Sequence, residues 1–302
     1  MTREPGRRSF DLGEVRLEAL TWGEAGGDLA LCLHGYPDTA WTWRHLAPEL
    51  AGAGYYVVAP FLRGYGPSSI PSDRDVSVGA LVADALDVTS RVGAPDAVLI
   101  GHDWGAITAN TIATLDDSPF RGIVSLAVPP LACVTPQRRT AARQVPQILA
   151  QTAHSWYILV NQLPILPEQI FDRMVAFLWK TWSPGYDATT DLRHLAQSAR
   201  TADNRHAIID YYRRLVRPGT TSSRHAAFQR QLMSPPRQPT LQLHGLSDGC
   251  LRPQLYTGVG ARLPMGSRLV PVSHAGHFLH LEQPTTVAST ITDYIGPADS
   301  RA

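Results

Sequence analysis

The sequence predicts an α/β protein: a mostly parallel sheet flanked by helices, with a helical cap inserted into it. Three observations predict this. Short apolar runs of strand character alternate with helical patterns toward both ends of the chain. Between two proline doublets the pattern turns helical, with no clear strand. The polar clusters fall directly after strands, where open parallel sheets bind their ligands.

The elements follow in order. GRRSFDL at residues 6–12 carries the paired arginines of an export signal, but such a signal needs an apolar stretch next. DLGEVRLEALTWGE is studded with acids and an arginine instead, so it reads as an ordinary first strand with a ragged leader. DLALCLHG, YYVVAP, DAVLIG and GIVSLAV then give four short buried strands. Helical TWRHLAPELAGAG and VGALVADALDVTSRVG lie between them. In the latter, Val78, Leu81, Val82, Ala85, Thr89 and Val92 keep helical spacing. AVPPLA (Pro129, Pro130) closes the fourth strand, and MSPPRQP (Pro235, Pro236) precedes the next. Prolines stop regular structure and stiffen chain exits. The predicted core is therefore 1–130 with 235–302, and the cap is 131–234. After Pro239 the alternation resumes with TLQLHG, SRLVPV and the helix QPTTVASTITDYI.

Bulk properties narrow the partners. The 302 residues are 44% hydrophobic and 18% charged with a net charge of +1, enough for one elaborated domain or two small ones. Near-neutrality gives no electrostatic reason to expect nucleic acid or an anionic membrane. No window approaches the ~18 apolar residues of a membrane span. Cys32, Cys133 and Cys250 cannot all pair and do not cluster like metal ligands, which suits a reduced, cytoplasmic setting.

Four clusters sit at strand ends: HGYPD, GHDWG, HGLSDG and HAGHF. GHDWG has the frame of the sharp turn that lifts a nucleophile above a parallel sheet, with a carboxylate, Asp103, where serine is usual. Gly101 and Gly105 supply the room. The N–H groups of Trp104 and Tyr36 are placed to form a two-donor anion site. The plainer reading of Asp103 is a helix N-cap; the later clusters favour catalysis. An orienting acid and a histidine should follow in that order. Asp248 is the only carboxylate in its loop, while His274, His277 and His280 all remain candidates for the base. His34 and His102 are expected to shape loops.

A carboxylate nucleophile suits displacement at saturated carbon, giving an alkyl ester that activated water then hydrolyses. The leaving group is then an epoxide oxygen or a halide. A departing alkoxide profits from a general acid such as tyrosine, with its ordinary pKa of ~10. In HAIIDYYRRLVRPG, Tyr212 shares a helical face with Ile208, Ile209, Leu215 and Val216, and Tyr211 sits about 100° away. Tyr157 lies in the nearly all-apolar run of HSWYILVNQLP.

HGYPDTAWTWR, RGYGPSS, GHDWGA, LHGLSDG and HAGHFLHLEQP together resemble the α/β-hydrolase-fold epoxide hydrolases, in that family's order and across nearly the whole chain. The resemblance implies Asp103 as nucleophile, His277 as the water-activating base and Asp248 as its orienting acid. It also implies oxyanion-hole N–H groups from Tyr36 and Trp104, a cis peptide before Pro37, and Tyr157 with Tyr212 as the epoxide-opening acids. Phe61 stands where relatives often carry Asp, and Ala106 where Gly is common. Substrate contacts are expected from Trp104, Pro37 and Trp156. The cap aromatics Trp156, Phe177, Trp179 and Trp182 point to a small but bulky apolar epoxide. No metal or organic cofactor is implied, and a homodimer stays open. The rival readings are a haloalkane or haloacid dehalogenase using the same aspartate, and a ligand-binding homologue without turnover.

Overall fold

The computed structural model describes residues 4–94, 96–136, 141–217 and 221–298. Eight strands form one sheet: β1 (Gly6–Asp11), β2 (Arg16–Trp22), β3 (Leu29–Leu33), β4 (Tyr56–Pro60), β5 (Ala97–His102), β6 (Phe120–Leu126), β7 (Thr240–Gly245) and β8 (Arg268–Val272). Their order is β1-β2-β4-β3-β5-β6-β7-β8. β1 and β2 pair antiparallel, β2 runs antiparallel to β4, and every pairing from β4 to β8 is parallel. The sheet is thus mostly parallel, in keeping with central strands buried along their whole length. Leu31 pairs with Val58 on one side and Leu99 on the other, and all three are fully buried. Each such side chain contributes about 1.5–3 kcal/mol by leaving water.

The amino end differs from the single strand expected. GRRSFD and RLEALTW form a hairpin, closed where the N–H of Leu12 donates to Val15 O at 2.9 Å. β1 exposes most of its residues, so it lacks the apolar alternation that marks a strand. The first three residues of the expected leader lie outside the described residues.

Core helices are α1 (Leu46–Gly52), α2 (Val78–Val92) and α3 (Trp104–Ile112). α2 begins where Ser77 Oγ accepts from the N–H of Ala80 and ends at Gly93, whose φ of 77° admits the left-handed C-cap. Between β6 and β7 the described residues are helical: α4 (Leu131–Val134), α5 (Ala141–Thr152), α6 (Trp156–Val160), α7 (Leu166–Gln169), α8 (Phe171–Trp182), α9 (Thr189–Ser198), α10 (Ala202–Val216) and α11 (Ala226–Arg230). Residues 137–140 and 218–220 of the expected cap lie outside the described residues. α12 (Leu279–Glu282) and α13 (Pro284–Ile295) follow β8. No described helix is long and apolar enough to cross a membrane.

The helical insertion is fastened to the carboxyl ends of the strands by buried and partly buried polar contacts. Trp179 Nε1 donates to Pro37 O at 2.9 Å, and Tyr211 Oη to Arg63 O at 2.8 Å. Arg44 pairs with the buried Asp191 of α9 at 2.6 Å. The N–H groups of Gly249 and His277 both donate to Trp182 O, at 3.1 and 2.9 Å. The end of α8 therefore braces the two loops that follow β7 and β8.

Candidate active site

Asp103 sits between β5 and α3 with φ 51° and ψ −111°, a conformation costing a non-glycine residue about 1–3 kcal/mol. Two glycines make the turn sterically possible. A Cβ at Gly105 would stand 2.0 Å from Leu33 O, and one at Gly101 would stand 2.1 Å from Gly105 O. The Asp103 side chain does not cap α3. Its Oδ1 instead accepts the backbone N–H of Tyr36 at 2.7 Å. Gly105 N–H donates to His34 O at 3.0 Å, tying the β3 loop to the helix start. The peptide between Tyr36 and Pro37 is cis. Trp104 is the first residue of α3, so its N–H belongs to the helix end that has no intrahelical acceptor.

Of the three candidate histidines, His277 alone faces both carboxylates. Its Nδ1 lies 3.1 Å from Asp248 Oδ2 and its Nε2 lies 3.7 Å from Asp103 Oδ2. His274 is exposed, and His280 Nε2 pairs with Thr42 Oγ1 at 2.5 Å. Burial disfavours the charge on His277, but Asp248 and Asp103 outweigh it and hold the imidazole up at about 10. Asp248 is itself fixed, its Oδ1 accepting the N–H groups of Cys250 and Leu251 at 2.7 and 3.0 Å.

The loop around His277 is held at every backbone step. Glu282 accepts the N–H of Gly276 on both oxygens, at 2.9 and 3.0 Å, and Ser183 Oγ donates to it at 2.6 Å. Ser183 Oγ also accepts the N–H of Phe278 at 3.1 Å. His102 Nε2 lies 2.9 Å from His277 O, and burial keeps His102 well below the ordinary imidazole value, so it stays neutral and donates there. His34 likewise shapes its loop: Leu62 N–H donates to its Nε2 at 3.0 Å.

Both predicted tyrosines come together above this arrangement. Tyr157 and Tyr212 meet edge to face at 5.4 Å between ring centroids. Tyr212 also packs on Tyr36 at 5.0 Å and Trp104 at 5.2 Å, while Tyr157 packs on Trp182 at 5.0 Å. Burial, with Asp103 among the nearby negative charges, raises both phenols well above their ordinary range, so they remain protonated donors. Tyr212 Oη, Tyr36 Oη, Trp104 Nε1 and His277 Nε2 are buried without a hydrogen-bond partner among the described residues. Tyr211 is separate, its hydroxyl committed to Arg63 O.

Other expected residues divide. Pro37 lies beside the site with its carbonyl held by Trp179. Trp156 is not drawn into the buried ring around Asp103: it is 37% exposed, against the edges of Tyr157 and Phe177. Sequence reasoning missed Asn161, one residue beyond α6, whose buried amide beside the Tyr36 hydroxyl makes no hydrogen bond of good geometry among the described residues. It also missed Cys250, whose Sγ lies 3.6 Å from Tyr157 Oη. A tyrosine's place in an apolar run gave no hint of either neighbour.

A mostly parallel sheet carrying a strained carboxylate turn, followed by an acid and a histidine on later loops, defines the class: the chain belongs to the α/β hydrolase fold family, which matches residues 30–284. Its relatives are more particular. It is 39% identical over 142 residues to Epoxide hydrolase A of Mycobacterium tuberculosis, covering 46% of this chain and 44% of that one. It is 44% identical over 104 residues to Epoxide hydrolase B of the same organism, covering 34% and 29%. These matches thus span less than half the length of those relatives. Epoxide hydrolase 4 of Mus musculus is 26% identical over 292 residues, covering 93% of this chain and 76% of that one. Among crystal structures, Epoxide Hydrolase A from Mycobacterium thermoresistibile has a TM-score of 0.74 at 26% identity, with 98% and 99% of the chains covered. An epoxide hydrolase from Vigna radiata shares the fold, with a TM-score of 0.76 at 22% identity and 98% and 99% coverage.

Proposed function

We propose that the protein is an epoxide hydrolase that converts an epoxide and water to a vicinal diol through a covalent ester on Asp103. The observation that carries this reading is the pair of protonated phenols gathered over a carboxylate nucleophile. Halide departure has no need of such acids. The relatives named above as epoxide hydrolases support the same reaction class.

In the proposed cycle the helical insertion acts as a cap. Asp103 Oδ2, facing away from the Tyr36 N–H, attacks one epoxide carbon while Tyr157 and Tyr212 donate to the ring oxygen. The carbon–oxygen bond of the ring breaks, the oxygen takes a phenolic proton, and Asp103 loses its charge. That loss has two consequences, because the charge of Asp103 is among the influences raising His277 and both tyrosines. The phenols become more acidic as the alkoxide develops, and His277 becomes easier to deprotonate. The imidazolium gives up a proton as the tyrosinate regains one, leaving Nε2 free to accept from water. Hydroxide adds to the ester carbonyl, whose oxygen already rests on the Tyr36 N–H. Collapse then expels the diol, protonated by His277, and regenerates the carboxylate.

A second reading, haloalkane dehalogenation, rests on one observation: the buried indole N–H of Trp104 has no partner among the described residues and could hold halide. The two readings part in experiment. His277→Gln should let attack proceed and stall hydrolysis, so mass spectrometry should find Asp103 heavier by one intact epoxide. An unmodified Asp103 with every epoxide tried, together with halide release from haloalkanes, would overturn the proposal.

A further inference from the structure

We propose that Asp248, Cys250 and His277 also form a binding site for a soft divalent cation such as zinc or cadmium, and that filling it arrests the enzyme. One ligand atom from each of these three buried residues lies within 4.8 Å of the other two. Imidazole nitrogen, carboxylate oxygen and thiolate sulfur are the zinc ligand set, at about 2.0–2.3 Å from the ion. Around a tetrahedral centre those bond lengths put neighbouring ligand atoms about 3.3–3.7 Å apart. The His277 Nδ1 to Asp248 Oδ2 distance is 3.1 Å, so that edge needs only a few tenths of an ångström of opening, while Cys250 Sγ, within 4.8 Å of both, closes onto the ion.

The site is prepared by the local chain. Asp248 and Cys250 belong to one tight turn, in which Asp248 Oδ1 is occupied by the N–H groups of Cys250 and Leu251. That leaves Oδ2, on the side of His277, as the ligand. The proposed cycle gives the thiol of Cys250 no task, which distinguishes this residue from its two companions.

Binding is an exchange of protons for the cation. The Cys250 thiol and His277 Nδ1 each release one proton to solvent, and thiolate plus carboxylate balance the two positive charges. His277 then keeps its remaining proton on Nε2, which faces Asp103 Oδ2 at 3.7 Å. A protonated Nε2 cannot accept from water. The arrest therefore rests on the proposed epoxide hydrolase cycle, whereas the binding does not.

Calorimetric titration of the full chain with cadmium chloride tests the binding, and ultraviolet absorption of the cadmium–thiolate bond identifies the ligand. One ion per chain, a thiolate band, and inhibition reversed by a chelator are expected. Cys250→Ser should abolish the band and weaken binding at least about tenfold, as should Cys250→Ala if the serine variant folds poorly. Inhibition is read as the ratio of each protein's own rates with and without metal. Absence of stoichiometric binding, or a band and affinity unchanged in both variants, would overturn the site. A chain inactive on every epoxide but binding one cadmium through Cys250 would remove the proposed activity and leave the site standing.

Discussion

Replacing Tyr212 by phenylalanine should move stability and activity in opposite directions. The hydroxyl is buried with no hydrogen bond of good geometry among the described residues, so its removal breaks none. It also relieves a desolvated polar group, a term of about 1–3 kcal/mol. The folded state should therefore be unchanged or more stable in urea, with the same dependence on denaturant. Ring opening should fall by about 10²–10⁴-fold, the usual contribution of a general acid, equivalent to about 3–5.5 kcal/mol of barrier. Tyr211→Phe is the matched control one residue away. Its hydroxyl donates to Arg63 O at 2.8 Å, so the loss should cost about 1 kcal/mol of stability and leave the chemistry largely intact. Pre-steady-state ester formation and urea midpoints of both variants decide the matter. A Tyr212→Phe protein that opens epoxides at the wild-type rate would refute the reasoning, as would a Tyr211→Phe protein equally slow.

Two further predictions concern stability. Arg63 is fully buried and forks onto Asp84 at 2.5 and 2.7 Å, so Arg63→Met should destabilise by about 3–5 kcal/mol by stranding the carboxylate. Adding Asp84→Leu should recover much of that loss in the urea midpoint; a double variant no better than the single one contradicts the pairing. His277 gives a pH dependence with a definite sign. Its folded value is raised, so the stability it adds is complete below the ordinary imidazole value and fades as pH climbs toward about 10. Wild type should lose stability across that window that His277→Gln does not lose, and parallel curves would contradict the shift.

Much of the fold was legible because parallel central strands buried on both faces read as apolar runs, as LALCL, YVVAP and the AVLI of β5 do. The hairpin at the amino end was not, because β1 is an edge strand with polar residues on both sides and no period to read. Asp103 was legible because Gly101 and Gly105 flank it, and only small residues allow the close approach to Gly105 and Leu33. The residues alone could not choose His277, which only the family resemblance implied, over His274 and His280, since all three lie within seven residues and their roles depend on what each ring meets. Asn161 and Cys250 lie close to the tyrosines through contacts distant in sequence, which no local pattern encodes. Trp156 shows the converse: an aromatic in the right helix that turns toward solvent.

The most direct test is one turnover with enzyme in excess over epoxide, in water enriched in heavy oxygen. The account predicts that the first diol carries only ordinary oxygen, drawn from the Asp103 carboxylate, and that the label appears in the Asp103 peptide. Label delivered straight into the first diol, with an unlabelled Asp103, would contradict it.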